Sequence, residues 1–298
     1  MYRRARIIYN PTAGREQFRK FLPTMLEKME RAGYETSCHA TTGAGDAARA
    51  ARLASERQYE LVVVAGGDGT INEVINGLAE RHYRPQLGIV PAGTSNVVAR
   101  ALGIPKDFEE ACEVIIKGVP QPIDVGKVNQ HYFLGVAGGG ALTELTYEVP
   151  SRLKMILGQL AYYMKGIEKL AALEPTKMTI QAEGRRIDEE IMLFLVANIG
   201  SLGGFDKLAP KAKVNDGYFD VLVVKKVSMP DFLKLLARVP RGEHVLDPYV
   251  TYFQTKTLTV SSEHKVWLNL DGEKGGQLPA TFTVLPQHVK LRIPKPVM

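Results

Sequence analysis

The run Leu61-Val62-Val63-Val64-Ala65 is apolar at every position and leads straight into Gly66-Gly67-Asp68-Gly69-Thr70. A strand with one wet face alternates polar and apolar residues. One that never alternates has to be covered on both faces, as in a parallel sheet between two helix layers. After the glycines, Ile71, Val74, Ile75 and Leu78 recur at helical spacing. Buried strand, tight turn and helix together make the repeating unit of an open α/β sheet, which binds ligands at the carboxyl ends of its strands.

The same order recurs on either side. Arg6-Ile7-Ile8-Tyr9 is followed by Asn10-Pro11-Thr12-Ala13-Gly14, and Phe18, Phe21, Leu22, Met25, Leu26 and Met29 then share a helical face that Gly33 closes. Leu87-Gly88-Ile89-Val90 leads into Pro91-Ala92-Gly93-Thr94-Ser95-Asn96 and a helical run to Leu102. Three loops that follow strands are expected to line one cleft. From Val125 the pattern turns to short strands: 177–181, 191–197, 218–224, 256–260, 266–270 and 281–285, with Asn215-Asp216-Gly217 as a turn. Helices are expected over Ser151 to Leu173 and over Met229 to Arg238. The prediction is an α/β N-terminal domain over 1–125 with a parallel sheet, and a mainly antiparallel β-sandwich C-terminal domain over 126–286. The tail, 287–298, is expected to pack back on the first domain.

Composition narrows the function. A chain of 298 residues, 45% apolar and 23% charged, is neither disordered nor a small disulfide scaffold. Its two cysteines, Cys38 and Cys112, form no CxxC pair, which favours a reducing cytoplasm. The net charge of +6, spread without a basic run, suits small anionic ligands or acidic lipid headgroups better than nucleic acid. No apolar stretch approaches the ~20 residues of a spanning helix, and the N-terminus lacks the apolar core of a secretion signal. HExxH, GxSxG and the Walker A pattern are all absent from the chain.

Glycines let a backbone approach a phosphate closely, and the helix behind them adds a favourable field for an anion. In Gly66 to Glu73, Asp68 can hold a magnesium-bound water, and Thr70 can donate to phosphate or cap the helix. Thr94 and Asn96 are further phosphate donors, or caps of the next helix. A tight structural turn would use the same residue types.

This octapeptide resembles the diacylglycerol kinase catalytic family, which shares a Gly-Gly-Asp-Gly-Thr core with NAD kinases and phosphofructokinases. Asn10 to Gly14, Pro91 to Asn96, Ile123-Asp124-Val125-Gly126, Asn215 to Asp220 and Leu268-Asn269-Leu270-Asp271-Gly272-Glu273 match further family signatures in order. Ser151 to Lys154, Ala161-Tyr162-Tyr163 and Arg241-Gly242-Glu243-His244 are similar to the soluble Gram-positive type. The resemblance implies ATP bound by Asn10, Pro11, Thr12, Ala13, Gly14, Thr41, Gly67, Asp68, Gly69, Thr70, Ile71, Asn72, Glu73 and Thr94. It implies magnesium at Asp216 through the carboxylate and at Lys213 and Tyr218 through backbone carbonyls. It also implies a homodimer at the inner face of the membrane, with diacylglycerol and anionic phospholipid as partners.

Phosphoryl transfer to an alcohol needs a base for the hydroxyl proton. Glu273 is the expected general base, because a glutamate is a poor choice for a turn or strand there; Asp271, in an Asp-Gly turn pair, is the rival. Val97 departs from the family, many of whose members carry aspartate after that asparagine. A valine ligates neither a metal nor its waters, so a water–magnesium network would rest on Asp68. The expected reaction is transfer of the γ-phosphoryl of ATP to diacylglycerol. The alternatives are a sphingoid base or other lipid as acceptor, or a catalytically weak nucleotide- or lipid-binding regulator. Met155, Ile156, Leu160, Tyr163, Met164, Ile167 and Leu170 make an apolar helical face for which core packing is the default reading; the flanking Lys154, Lys165 and Lys169 also fit a membrane surface or lipid cleft, with Lys165 the candidate for holding substrate or membrane.

Overall fold

The computed structural model describes residues 3–140, 174–201 and 207–295. The N-terminal half alternates β1 (Arg3–Tyr9), α1 (Gln17–Arg31), β2 (Tyr34–Ala40), α2 (Asp46–Glu56), β3 (Leu61–Gly66), α3 (Asp68–Leu78), β4 (Gln86–Pro91), α4 (Val97–Ala101) and α5 (Phe108–Lys117). The strands pair in parallel, β2 with β1, β1 with β3 and β3 with β4. All six residues of β3 are buried because both its faces are covered. Val62 and Val64 meet Ala47, Ala50 and Ala51 of α2 and Val74 of α3 on one side. Leu61 and Val63 meet Phe18, Met25 and Met29 of α1 and Cys112 and Ile115 of α5 on the other.

The chain then turns antiparallel. β5 (Val119–Val128), β6 (His131–Phe133) and β7 (Val136–Gly140) are followed by β8 (Thr176–Ala182), β9 (Arg185–Ala197) and β10 (Phe219–Lys225). α6 (Met229–Arg238), β11 (Val250–Thr255), β12 (Thr257–Ser262), β13 (Trp267–Leu270), β14 (Glu273–Gln277) and β15 (Ala280–Ile293) complete it. Phe133 stacks on Phe219, and Phe194 meets Phe282 edge-on, inside the core that these strands enclose. α6 covers the outside through Phe232 and Leu235.

The α/β and β-sandwich halves expected from the sequence are both present, but they share one sheet. β15 pairs antiparallel with β12 and β5 and, at Leu291 opposite Leu87, parallel with β4. Fourteen residues from the end of the chain thus tie the second half onto the parallel sheet. Several elements were not read in the sequence, among them α2, α5, capped by Asp107, the strands β5, β6, β11 and β14, and the small-residue strand β7, whose Gly138 and Gly139 pack directly on Phe194 and Leu195 of β9. The helix expected over Ser151 to Leu173, and Lys165 with it, lies outside the described residues.

Candidate active site

The three loops meet at the carboxyl ends of β1, β3 and β4. The Asn10 backbone N–H donates to Ala65 O at 3.0 Å, and its side-chain oxygen accepts from the N–H and hydroxyl of Thr12. Gly14, at φ +57°, stands where a Cβ would be 2.8 Å from the Ala92 carbonyl. At Gly93 a Cβ would fall 2.4 Å from Gly67 Cα, so the second and third loops touch backbone to backbone.

A cleft of about 410 Å³ opens between the first loop, the segment after β2 and the glycine loop, lined in part by Asn10, Pro11, Thr12, Thr41, Gly69 and Thr70; the third loop, expected to share it, does not line it. Its far wall, Thr42 to Ala47, was missed as a site. Asp46 is 3% exposed and accepts from the Thr42 N–H, the Thr42 hydroxyl, Arg49 and the His39 ring. Those bonds, the Thr42 N–H foremost, hold its carboxyl down at about 2. Glu73 also lines the cleft, with its two carboxylate oxygens accepting the N–H groups of Gly45 and Ala47.

Other residues expected to contact nucleotide are not among those that line this cleft. The Ile71 side chain is buried in the core beneath the sheet. Ala13 packs on the α1 side, and Thr94 is exposed on the third loop outside the cleft lining. Asn72 turns towards the C-terminal half, donating to Tyr132 O at 3.1 Å and to Asp271 Oδ2 at 3.3 Å. Asp68 Oδ1 accepts the Val97 N–H at 2.7 Å, and burial pushes its carboxyl up against the pull of that bond. Val97 contributes its backbone here, while its side chain packs against the cluster of Val136, Ala197, Ile199 and Ala209.

The two candidate carboxylates on the β13–β14 turn are in different situations. Asp271 Oδ1 accepts from Gly135 N and Val136 N, and Oδ2 from Leu134 N and Asn72. Burial pushes its carboxyl up despite these donors. Glu273 is exposed and reaches back over the glycine loop, with Oε1 2.9 Å from where a Cβ on Gly69 would be.

Asp124 was read only as part of a junction motif. It is fully buried, takes the Gly217 N–H at 2.7 Å and the Gln287 N–H at 2.6 Å, and donates its own N–H to Val214 O. An aspartate between the apolar Ile123 and Val125 is the signal that could have found it, since a buried carboxylate needs donors. The turn it holds carries Lys213, Asp216 and Tyr218. Burial raises the carboxyls of Asp124 and Asp220, and the charge of Asp216 adds to the rise, so a cation at this turn would meet a negative field. Among the described residues no three acidic, histidine or cysteine side chains converge as a metal cage. A divalent ion there would need backbone carbonyls and water beside Asp216, and such a hard oxygen set fits magnesium.

Residues 4–128 match the model of the diacylglycerol kinase catalytic domain, and residues 141–293 that of the YegS C-terminal NAD kinase beta sandwich-like domain. The chain belongs to the diacylglycerol kinase family. It is 53% identical over 294 residues to diacylglycerol kinase of Bacillus subtilis, covering 98% of this chain and 97% of that one. It is 46% identical over 297 residues to diacylglycerol kinase of Staphylococcus carnosus, covering 100% and 97%. The crystal structure of a diacylglycerol kinase from Bacillus anthracis superposes with a TM-score of 0.83 at 28% identity, covering 99% of this chain and 98% of that one. Across this family comparison the α/β and sandwich halves described above are matched together. No helix among the described residues is long and apolar enough to cross a membrane.

Proposed function

We propose that this chain transfers the γ-phosphoryl group of ATP to the free hydroxyl of diacylglycerol, giving phosphatidic acid and ADP. One observation carries the reading: a carboxylate from the sandwich half, Glu273, stands over Gly69 of the phosphate-type loop. There it would take the proton of the acceptor hydroxyl as that oxygen attacks phosphorus. Asn10, Thr12, Thr41 and Thr70 would bind the nucleotide in the cleft they line. Gly67 to Gly69 and the start of α3 would face its phosphates with N–H groups. Asp271 has both oxygens engaged and is the poorer base. Magnesium would supply charge neutralisation of the phosphates, with a second, structural ion at Asp216 and the carbonyls of Lys213 and Tyr218. The reading carries with it work at the inner membrane face on anionic phospholipid, supported by the net charge of +6, and, by family resemblance, a homodimer.

The test is transfer from labelled ATP to diacylglycerol, to sphingosine and to a lipid-free blank in anionic mixed micelles with magnesium. Labelled phosphatidic acid is expected, reduced on the order of 10²-fold or more in Glu273→Gln. Transfer to sphingosine alone, or an unaffected Glu273→Gln, overturns the acceptor or the base respectively.

A further inference from the structure

Two side-chain amides of α3 reach across the seam between the two halves. Asn72 lies one turn into α3, and its Nδ2 is shared between Tyr132 O and Asp271 Oδ2. Asn76, one turn further on, reinforces this contact. Its side chain accepts the Tyr132 N–H at 3.1 Å and donates to Tyr132 O and to Asn72 Oδ1 at 3.0 Å. On the other side, the Asp271 carboxylate gathers the N–H groups of Leu134, Gly135 and Val136, and its own N–H donates to Val136 O. Asp271 sits at φ +52°, a left-handed conformation held by that ring of donors. Two residues later comes Glu273, over Gly69, three residues before Asn72 in the glycine loop. The contact closes a loop of 199 residues, so no local preference can supply it.

We propose that Asn72 is a positioning residue: with Asp271 it pins the β13–β14 turn to α3 and so fixes the Glu273 carboxylate over the glycine loop, without itself touching the nucleotide. The inference rests on the reading of Glu273 as base. A carboxylate displaced by about 1 Å from its acceptor costs up to ~10²-fold in turnover while substrate binding persists. Asn72 therefore governs kcat and leaves nucleotide affinity alone.

Asn72→Ala, Asp271→Asn and the double variant are compared in the full-length protein by steady-state kinetics, by calorimetric titration with magnesium-ADP and by thermal melting. Each single variant is expected to lose roughly 10-fold or more in kcat, with ADP affinity within two-fold of the parent. The double variant is expected to lose no more than the worse single, because the two act as one unit. Asn72→Asp, which sets two carboxylates together, is expected to lose more than Asn72→Ala, and Asn72→Gln to recover part of the loss. A weakened ADP affinity with kcat intact would make Asn72 a nucleotide contact and overturn the proposal; so would multiplicative losses in the double variant. If Glu273→Gln keeps its activity, the base assignment fails instead. The pin is then judged by melting alone, where additive destabilisation by the two substitutions rejects it.

Discussion

Asp68 accepts the backbone N–H of Val97 at 2.7 Å, joining the glycine loop to the first turn of α4. The family position that many members fill with aspartate is used here through its backbone, which valine supplies as well as any residue. The Asp68 carboxylate is thus a helix cap as well as a candidate for a magnesium-bound water. Asp68→Ala is expected to cost ~1–2 kcal/mol of stability by urea unfolding, because the N–H of Val97 loses its acceptor. Asp68→Asn retains an acceptor oxygen and is expected to keep most of that stability while losing activity.

Gly69 and Gly93 separate two kinds of close approach. A Cβ on Gly69 meets only the end of the Glu273 side chain. Gly69→Ala is expected to fold normally and bind ADP, with kcat reduced about 10-fold or more as the carboxylate is pushed aside. A Cβ on Gly93 meets backbone of the second loop, which cannot swing away. Gly93→Ala is expected to weaken ADP binding and lower the melting temperature. Calorimetry and melting on the two variants distinguish them.

Asp46 gives the acid limb of stability a recognisable component. Its carboxyl falls from an ordinary 3.8 to about 2 in the folded chain, chiefly through the Thr42 N–H. A carboxyl lowered on folding stabilises above its unfolded value and loses that contribution as pH falls through the folded one. Stability is therefore expected to decline between pH 4 and pH 2 in the parent, and to decline less steeply in Asp46→Asn, which starts lower at neutral pH. Urea midpoints across that range check it.

Asp216 is expected to govern a magnesium-dependent rise in melting temperature. Magnesium stabilises the folded chain only in proportion to its differential binding. Asp216→Ala should abolish the rise, while Glu273→Gln, remote from the turn in sequence, should keep it. An equal rise in Asp216→Ala and the parent places the ion elsewhere.

Asp124 illustrates the opposite pH sign. Burial raises its carboxyl, so ionisation works against the fold and its contribution declines as pH rises through the raised value. Its two backbone donors still make it hard to replace. Asp124→Ala leaves the N–H groups of Gly217 and Gln287 buried without an acceptor, at ~2–4 kcal/mol. A melting temperature within a degree of the parent would count against this.

What the sequence determined by itself was periodicity and punctuation. Leu61 to Ala65 could only be a strand covered on both faces, Ile71 to Leu78 only a helix with one apolar side, and Asn215-Asp216-Gly217 only a turn. Those patterns located the loops, and with them Asn10, Thr12, Gly69 and Thr70 on one cleft, to which the family resemblance added Thr41. They could not assign the side chains between. Ile71 follows Thr70 directly, yet helical rotation sends it into the core, while Asn72 turns to the interdomain seam. Nor could spacing separate Asp271 from Glu273, two residues apart in one turn. That depended on backbone donors at Leu134 to Val136, which strand pairing brings in from more than 130 residues away. Likewise, Asp124 acquired its meaning only when Gln287 arrived on β15 from 163 residues downstream. A residue's own neighbours settle which element it joins and which face is buried. Tertiary structure alone decides which distant N–H group meets a carboxylate, because satisfying a buried charge is a contact between parts of the chain that share no local pattern.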